Sequence, residues 1–328
     1  MRRRSALMLG AASMALAAGA AWPAAAKAQP AYPAKPVRIV VPFAAGGVGD
    51  LTARAVASAL AERLGQPVVI DNRPGAGGVV AADTIARAEP DGHTLFLMSN
   101  GTAVSAGLFK TLPYDTVADF APISTLGVFD IAVLVPADSP HRTLSQLLAH
   151  ARAQPGSVNI GSINMGSSQH LAAELFKSSA GIDALVVPFN GTPALITALR
   201  GRQVDVGVEI LGPALPQVRA GALRVLAVTG ERRSDMLPDV PTAVEQGVKG
   251  FVATSWNALA APARTPRAVV DRLQREIAAA VASPAVQQQL RALNVVPRTS
   301  TPEETSALLK ADIGRWRAVI ERAGIPLQ

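Results

Sequence analysis

Short apolar runs alternate with amphipathic helical patterns along almost all of the chain that follows an N-terminal segment. The run Val37–Val41 precedes the helical pattern Leu51–Leu64, and the same order recurs where Leu185–Pro188 precedes Pro193–Arg200. Apolar runs rich in valine and isoleucine predict buried strands, and their alternation with helices is typical of βαβ units. The pattern therefore predicts an α/β fold in which mostly parallel sheets are flanked by helices.

The N-terminal segment has the pattern of an export signal. The basic residues Arg2–Arg4 precede the apolar run Ala6–Ala21, and Ala26-Lys27-Ala28 is a small-x-small cleavage sequence. This order is typical of a secretory signal peptide, so we expect residues 1–28 to be removed after Ala28. An uncleaved anchor is the alternative, although the run is short for a bilayer. The pair Arg3-Arg4 also resembles a twin-arginine signal, which leaves the export route open.

Charge and cysteine content exclude several classes of function. The chain has 31 basic and 24 acidic residues and no cysteine. Residues 1–28 carry four of the basic residues and no acidic one, so 27 basic residues against 24 acidic ones leave a net charge of +3. This modest charge fits a small anionic ligand and predicts no nucleic-acid surface. Without cysteine there is no disulfide, thiolate metal site or cysteine nucleophile.

The four histidines do not form a metal-binding or catalytic pattern. They are His93, His141, His150 and His170. They lack the paired spacing of a metal-binding helix, and we expect no metal and no cofactor. The glycine-rich stretch Gly75–Gly78 superficially resembles a dinucleotide-binding turn. Val80 stands where the third glycine is needed, so we do not predict a nucleotide site.

The length of the mature chain predicts two lobes, because about 300 residues usually exceed a single core. A new block of strands and helices begins near Phe129. We expect one lobe to comprise residues 29–128 with 253–328, and the other residues 129–252. The two crossings of the chain would form a hinge, and strand ends from both lobes would face a central cleft.

The segment Phe43–Asp50 is the first candidate binding loop. It joins a predicted strand to a predicted helix and contains no basic residue, and glycines let its backbone approach a ligand. Unpaired amides at a helix N-terminus favour an anion, and a cradle without lysine suits a carboxylate better than a triphosphate. The candidate ligand residues are Phe43, Ala44, Gly46, Gly47 and Asp50. Two alternatives stay open: the glycines only form a tight turn, and Asp50 caps the helix.

A second candidate loop, Gly161–His170, has the same strand, polar loop and helix order. Gly166, Ser167, Ser168 and His170 are its candidate ligand residues. Each serine hydroxyl is expected either to donate to a carboxylate or to cap the helix. A neutral His170 ring is expected either to donate to a ligand or simply to pack.

Further candidates stand at other predicted strand ends. Asn190 and Thr192 offer neutral donors in the turn that contains Phe189 and Gly191, where plain turn chemistry is the alternative. Asn100 lies in a predicted loop after the strand Thr94–Met98. The candidate ligand residues in these segments are Phe189, Asn190, Gly191 and Asn100.

Four motifs in order carry a family resemblance: Pro42–Asp50, Asp71–Gly78, Gly166–Leu171, and Gly191–Ala194 with Gly201–Val206. The chain resembles the Bug (TctC-like) family, the extracytoplasmic solute receptors of tripartite tricarboxylate transporters, from about Tyr32 to its C-terminus. The resemblance implies a two-lobed periplasmic-binding-protein fold, hinged around a central cleft, that closes on a small carboxylate solute. It also implies a periplasmic location, delivery to membrane permease subunits, a monomeric state and no catalysis.

Two departures from the family pattern bear on the solute. Family members often have Tyr-Lys-Gly where this chain has Phe189-Asn190-Gly191, and many have an aspartate near the strand end that Glu209 occupies here. Glu209 is therefore a further candidate ligand residue. The departures remove a cation and lengthen an acid, which suggests a solute with one carboxylate and a neutral or amino distal group.

Two other functions remain open on the sequence. A secreted serine hydrolase would use Ser105 or Ser168 with His170, although no GxSxG pattern supports it. A sensory receptor that reports ligand occupancy to a signalling partner would share the fold and the cleft.

Overall fold

A computed structural model describes residues 32–328, so the predicted signal peptide lies outside the described residues. The strands are β1 Val37–Val41, β2 Val68–Asn72, β3 Thr94–Ser99, β4 Phe120–Pro136, β5 Val158–Ile163, β6 Ala184–Phe189, β7 Val206–Ile210, β8 Leu223–Val228, β9 Thr254–Pro262 and β10 Val295–Pro297. The helices are α1 Val48–Leu64, α2 Val79–Ala86, α3 Asn100–Leu108, α4 Leu144–Ala153, α5 Ser168–Ala180, α6 Thr192–Arg200, α7 Leu211–Arg219, α8 Arg267–Ala282, α9 Pro284–Ala292 and α10 Pro302–Arg322. In this part of the chain, the helices do not combine the length and apolar character that a bilayer span needs.

The long strand β4 connects two sets of strands. Its first part, residues 120–130, pairs with β9 and β10, whereas its second part, residues 131–136, pairs with β7 and β8. The parallel pairs are β1 with β2 and β3, and β5 with β6 and β7. The strands β4 and β9 run antiparallel to their neighbours, so the sheets are mixed.

The apolar side chains predicted to face inward form the core. In α1, Val56 and Leu60 are buried, and the left-handed Gly65 (φ 67°) ends the helix as its sequence predicts. A large cluster of buried residues follows β1, β3, β4 and β9, and a smaller one lies under α6 and α7. By its contacts the described chain forms one compact unit, so the predicted division into two lobes stays a prediction.

The carboxyl ends of strands position the site. Ser99 ends β3, Ile163 ends β5 and Ile210 ends β7, and all three line the same cavity. Helices follow these strands directly or after a short loop. Their N-termini therefore come to the same edge of the sheets, where ligands of open α/β folds bind.

The segment that begins at Asn100 corrects one prediction. We expected a strand-end loop, but α3 begins at Asn100, and the Ser99 side chain caps it by accepting from the Gly101 amide at 3.1 Å. Asn100 is buried; its Nδ2 donates to the Thr254 carbonyl at 2.8 Å and its Oδ1 accepts from Trp316 Nε1. This side chain therefore fastens α10 to α3 and β9.

The C-terminal helix α10 has the predicted capping box. Thr301 Oγ1 accepts from the Glu304 amide at 3.1 Å, and the Glu304 carboxylate accepts from the Thr301 amide at 2.8 Å. Trp256 Nε1 of β9 donates to Asp312 at 2.7 Å. The last helix is thus bonded to the strand that carries part of the site.

A pair of glycine substitutions tests the close packing of α7. A Cβ at Gly212 would overlap the carbonyl oxygen of Leu293, whereas a Cβ at Gly314 of α10 would meet no heavy atom within 4 Å. We expect Gly212→Ala to lower the unfolding free energy by about 3 kcal/mol. Gly314→Ala should raise it by about 0.5–1 kcal/mol, because alanine favours a helix interior. Urea unfolding measures both changes, and a neutral Gly212→Ala would contradict the packing.

Candidate functional site

One cavity lies where the β1–α1 loop, the starts of α5 and α6, and the strands β4 and β9 meet. Its empty space, including the opening to solvent, is about 370 Å³. The lining residues of the described chain are all uncharged: Phe43, Ala44, Gly47, Val48, Gly49, Ser99, Phe129, Ile163, Ser168, Gln169, Gly191, Thr192, Ile210, Ser255 and Asn257.

The β1–α1 loop presents free backbone amides. Gly47 is the N-cap residue of α1, and within residues 32–328 no side chain caps this helix. The amides of Val48 and Gly49 precede the first intrahelical bond, which runs from Leu51 to the Gly47 carbonyl at 3.0 Å. Both residues line the cavity, so the positive end of the α1 dipole faces it.

Asp50 shapes this loop from behind. Its carboxylate accepts from the Gly46 amide at 2.9 Å, from Arg54 Nε at 2.9 Å and from Asn72 Nδ2 at 3.0 Å. Burial alone would raise the pKa of Asp50, but these hydrogen bonds outweigh it and hold the pKa below its usual value. Asp50 is therefore a charged clamp on the loop, and its side chain is not part of the cavity lining.

The two serines at the start of α5 have different roles. Ser167 is the N-cap residue: its hydroxyl accepts from the His170 amide at 3.1 Å and donates to the Ile163 carbonyl at 3.0 Å. Ser168 lines the cavity, and its hydroxyl shares a hydrogen bond of 3.0 Å with the Ser255 hydroxyl of β9. The structure thus separates the capping serine from the serine that can reach a solute.

His170 is buried one turn into α5, and burial lowers its pKa, with a smaller opposing effect of Glu174. In the described chain its Nδ1 atom has no hydrogen-bond partner, and no hydrogen bond joins its ring to Ser105 or Ser168. Ser105 instead donates to the Gly77 carbonyl at 2.9 Å. The geometry gives the serine-hydrolase alternative no nucleophile and base in contact.

The start of α6 closes against the first loop. Gly191 is the N-cap residue (φ +93°), and a Cβ there would lie 2.8 Å from Ala44 Cβ. Thr192 Oγ1 would lie 3.4 Å from a Cβ at Gly47. The N-termini of α1 and α6 therefore face one another across the cavity, each without a side-chain cap among the described residues.

The strand β9 contributes two polar residues that the sequence patterns did not reveal. Ser255 and Asn257 are buried and line the cavity. Asn257 Nδ2 has no hydrogen-bond partner among the described residues. A buried amide donor without a partner is rare, so it marks a place where a solute oxygen or water can bind.

Glu209 lies behind the cavity wall, buried near the end of β7. Its Oε1 accepts from Gln169 Nε2 at 2.8 Å and from the Ile210 amide at 2.7 Å. Burial raises the pKa of Glu209 to about 7, although these two hydrogen bonds and the nearby Thr192 hydroxyl act to lower it. In the described chain Oε2 has no partner in hydrogen-bonding geometry, Thr192 included.

The structure brings some candidate ligand residues to the cavity and places others elsewhere. Those in its lining are Phe43, Ala44, Gly47, Ser168 and Gly191; those outside it are Gly46, Asp50, Asn100, Gly166, Ser167, His170, Phe189, Asn190 and Glu209. Four further residues of the predicted loops were not among the candidate ligand residues but line the cavity: Val48, Gly49, Gln169 and Thr192. Contact of any of these residues with a solute stays a prediction. Among residues 32–328, no group of three or more acidic or histidine side chains is placed to hold a metal ion.

Comparisons with known proteins agree with this fold. The fold is that of periplasmic binding proteins: the structure of the periplasmic binding protein BugD has a TM-score of 0.87 and 31% identity over 90% of this chain and 100% of that chain. An R. palustris protein solved with adipate has a TM-score of 0.87 and 33% identity, covering 90% and 99%. BugT of Bordetella pertussis is 35% identical over 299 residues, 90% of this chain and 92% of BugT.

The family model described as "tripartite tricarboxylate transporter family receptor" matches residues 52–325. The chain belongs to this receptor family, which confirms the resemblance drawn from its motifs. It is a solute receptor, and the family gives no support to the hydrolase alternative.

Replacing Glu209 with glutamine should remove a pH-dependent loss of stability. The Glu209 carboxyl group has a pKa of about 7 in the folded protein and an ordinary value of 4.5. Between these two pH values the folded state binds the proton more tightly than the unfolded state does, so the free energy of unfolding falls as the pH rises. Relative to Glu209→Gln, the unfolding free energy of the wild type should fall by about 3 kcal/mol from about pH 4.5 to 7.5. Urea unfolding across this range measures the difference.

Glu62→Gln is the control, because Glu62 is exposed on α1. This variant should follow the wild-type pH profile. Parallel profiles for the wild type and Glu209→Gln would contradict the raised pKa of Glu209.

Proposed function

We propose that this chain is an extracytoplasmic receptor that binds a small carboxylate in the described cavity and delivers it to a tripartite tricarboxylate-type transporter. The observation that carries the proposal is the convergence of free donors on a cavity without charged lining residues in the described chain. The family and the adipate that the R. palustris relative holds support a carboxylate.

The donors suit one carboxylate group. The uncapped start of α1 offers the amides of Val48 and Gly49, and that of α6 offers the amide of Thr192. Ser168 Oγ and Asn257 Nδ2 add side-chain donors. Helix N-termini favour anions by about 0.3–1 kcal/mol each, more when they are partly buried. A micromolar affinity, about 8 kcal/mol, is within reach of such a set together with bridging waters.

The charge balance of the cavity disfavours a second carboxylate. Asn190 is exposed and outside the lining, and no arginine or lysine of the described chain lines the cavity. Glu209 adds an acidic group directly behind the wall. We therefore infer a solute with one carboxylate whose remaining part is neutral or carries an amino group.

Binding is proposed to work by closure of two lobes, residues 29–128 with 253–328 against residues 129–252. Contacts across this division support the proposal: Ala44 lies against Gly191, and Ser168 bonds to Ser255. A solute that contacts both sides would favour the closed form. We propose that a monomer in the periplasm, released from its signal peptide at about Ala28, presents this form to the membrane subunits.

A matched set of carboxylates tests the charge of the solute. The four-carbon set is succinate, butyrate and 4-aminobutyrate, and the six-carbon set is adipate, hexanoate and 6-aminohexanoate. Within each set, we expect the singly carboxylated members to bind at least about tenfold more tightly than the dicarboxylate, because no cation of residues 32–328 lines the cavity. Isothermal titration of the mature chain, at several salt concentrations, measures the affinities.

Mass spectrometry of small molecules released from the natively purified receptor provides an independent measurement. A released tri- or dicarboxylate, or tighter binding of succinate or adipate, would overturn the inference of one carboxylate. If no carboxylate binds and none is released, the proposed function is wrong.

The neighbouring serines provide a matched pair of variants. Ser168→Ala should weaken carboxylate binding about tenfold, because it removes a donor in the cavity and the bond to Ser255. Ser167→Ala should lower the unfolding free energy by about 1 kcal/mol, since it removes the cap of α5, and should change affinity much less. Titration with butyrate and hexanoate, together with urea unfolding, separates the two effects; equal losses of affinity would contradict the assignment.

A further inference from the structure

The Glu209 carboxyl group has one oxygen in use and one free. Oε1 accepts two hydrogen bonds, from Gln169 and from the Ile210 amide. Oε2 is buried and has no hydrogen-bond partner among residues 32–328. Gln169, Ile210 and Thr192, the three residues that act on this carboxyl group, all line the cavity. The free oxygen therefore lies directly behind the wall that a solute would touch.

The groups that act directly on this carboxyl group are electrically neutral. On β4, the residue paired with Glu209 is Ala132. The titratable or charged side chains on the elements packed against β7 are Asp130, His170, Glu174, Lys177, Arg200 and Arg219. Burial raises the pKa of Glu209, and the three groups that act to lower it are all neutral, so none of these charges contributes. Burial also lowers the pKa of His170, which favours the neutral form of that ring.

A bound carboxylate makes the ionised form of Glu209 still less favourable. It places a second negative charge on the other side of the wall, in a buried region where the lining of the described chain provides no cation. Two carboxylates that share a buried site cannot both ionise freely, so the one that is not held by helix amides keeps its proton.

We propose that Glu209 is uncharged whenever the receptor holds a carboxylate, so that binding above neutral pH takes up one proton at this residue. The inference rests on the proposed function, since it requires a carboxylate solute. Oε2 is the site of the proton, because Oε1 already accepts two donors. Glu209 thus acts as a specificity-determining residue: it admits a solute with one negative charge together with a proton and disfavours an additional anionic group nearby.

An ammonium group on the solute would require the opposite protonation state. It would favour ionised Glu209, and binding below neutral pH would then release a proton. The burial of Glu209 and its neutral partners favour the uncharged acid, because a buried ion pair must desolvate both charges. The sign of the proton change therefore separates the two kinds of solute.

Isothermal titration in two buffers of different ionisation enthalpy measures that proton change directly. The probes are the six carboxylates of the panel, each tested at about pH 6, 7, 8 and 8.5. For butyrate or hexanoate we expect little proton exchange at the lowest pH and uptake that approaches one proton per molecule at the highest. The dissociation constant should rise by up to about tenfold per pH unit above neutral pH.

Two variants assign the proton. Glu209→Gln should bind the monocarboxylates with no proton uptake and with a flat pH profile. Asp130→Asn is the control: burial raises the pKa of Asp130, but this residue lies in a separate surface cleft and should leave the uptake unchanged. The wild-type measurement needs no variant, so poor folding of Glu209→Gln would not remove the test.

The possible outcomes are distinct. Binding without proton uptake at about pH 8, or equal uptake by Glu209→Gln, would overturn the inference while leaving the receptor function intact. Proton release with the amino-substituted probes as the tightest ligands would overturn it in favour of an ionised Glu209. Absence of binding by all six probes, together with no carboxylate released from the natively purified receptor, would refute the proposed function, and the inference would fail with it.

Discussion

The cavity depends on backbone amides that the fold leaves free. Helices α1 and α6 begin at its rim without a side-chain cap from the described part of the chain, and α5 begins beside them with Ser168 turned inward. Buried amides without partners are unfavourable, so this edge of the sheets must hold water or an anion. Because the amides already supply a positive potential, the lining needs no arginine or lysine to attract a carboxylate. An uncharged lining also leaves a second anionic group without a partner.

Glycine stands at two positions where segments near the cavity touch, because a side chain there would not fit. A Cβ at Gly191 would press against Ala44, and a Cβ at Gly166 would lie 2.9 Å from the Cα of Gly77. Gly191 and Gly166 also have positive φ angles, +93° and +81°, that other residues rarely adopt. The absence of a side chain at Gly191 and Gly166 therefore lets their backbones approach Ala44 and Gly77 closely.

Local patterns in the sequence predicted the strands that are followed by helices, because a strand, a glycine turn and a helix start lie within about a dozen residues. They therefore located the loops that contain Gly47, Ser168 and Gly191. They did not predict the first half of β4, nor β9, since these strands pair antiparallel with partners far along the chain. Ser255 and Asn257 come from β9, so this side of the cavity had no local signal. The polar Asn257 directly before the apolar run Ala258–Ala261 was the one available hint in the sequence.

Two carboxyl groups near the free amides have pKa values that are shifted in opposite directions. Asp50 accepts from Arg54 and from the Gly46 amide, which keeps its pKa low. The Gly46 residue that donates this amide hydrogen bond does not line the cavity. The amides of Val48 and Gly49 therefore stay available to a solute. Within residues 32–328, the partners of Glu209 are neutral, and burial raises its pKa to about 7. The receptor thus holds an internal anion where it organises the loop, and it places an acid whose neutral form burial favours where a second charge would compete with the solute.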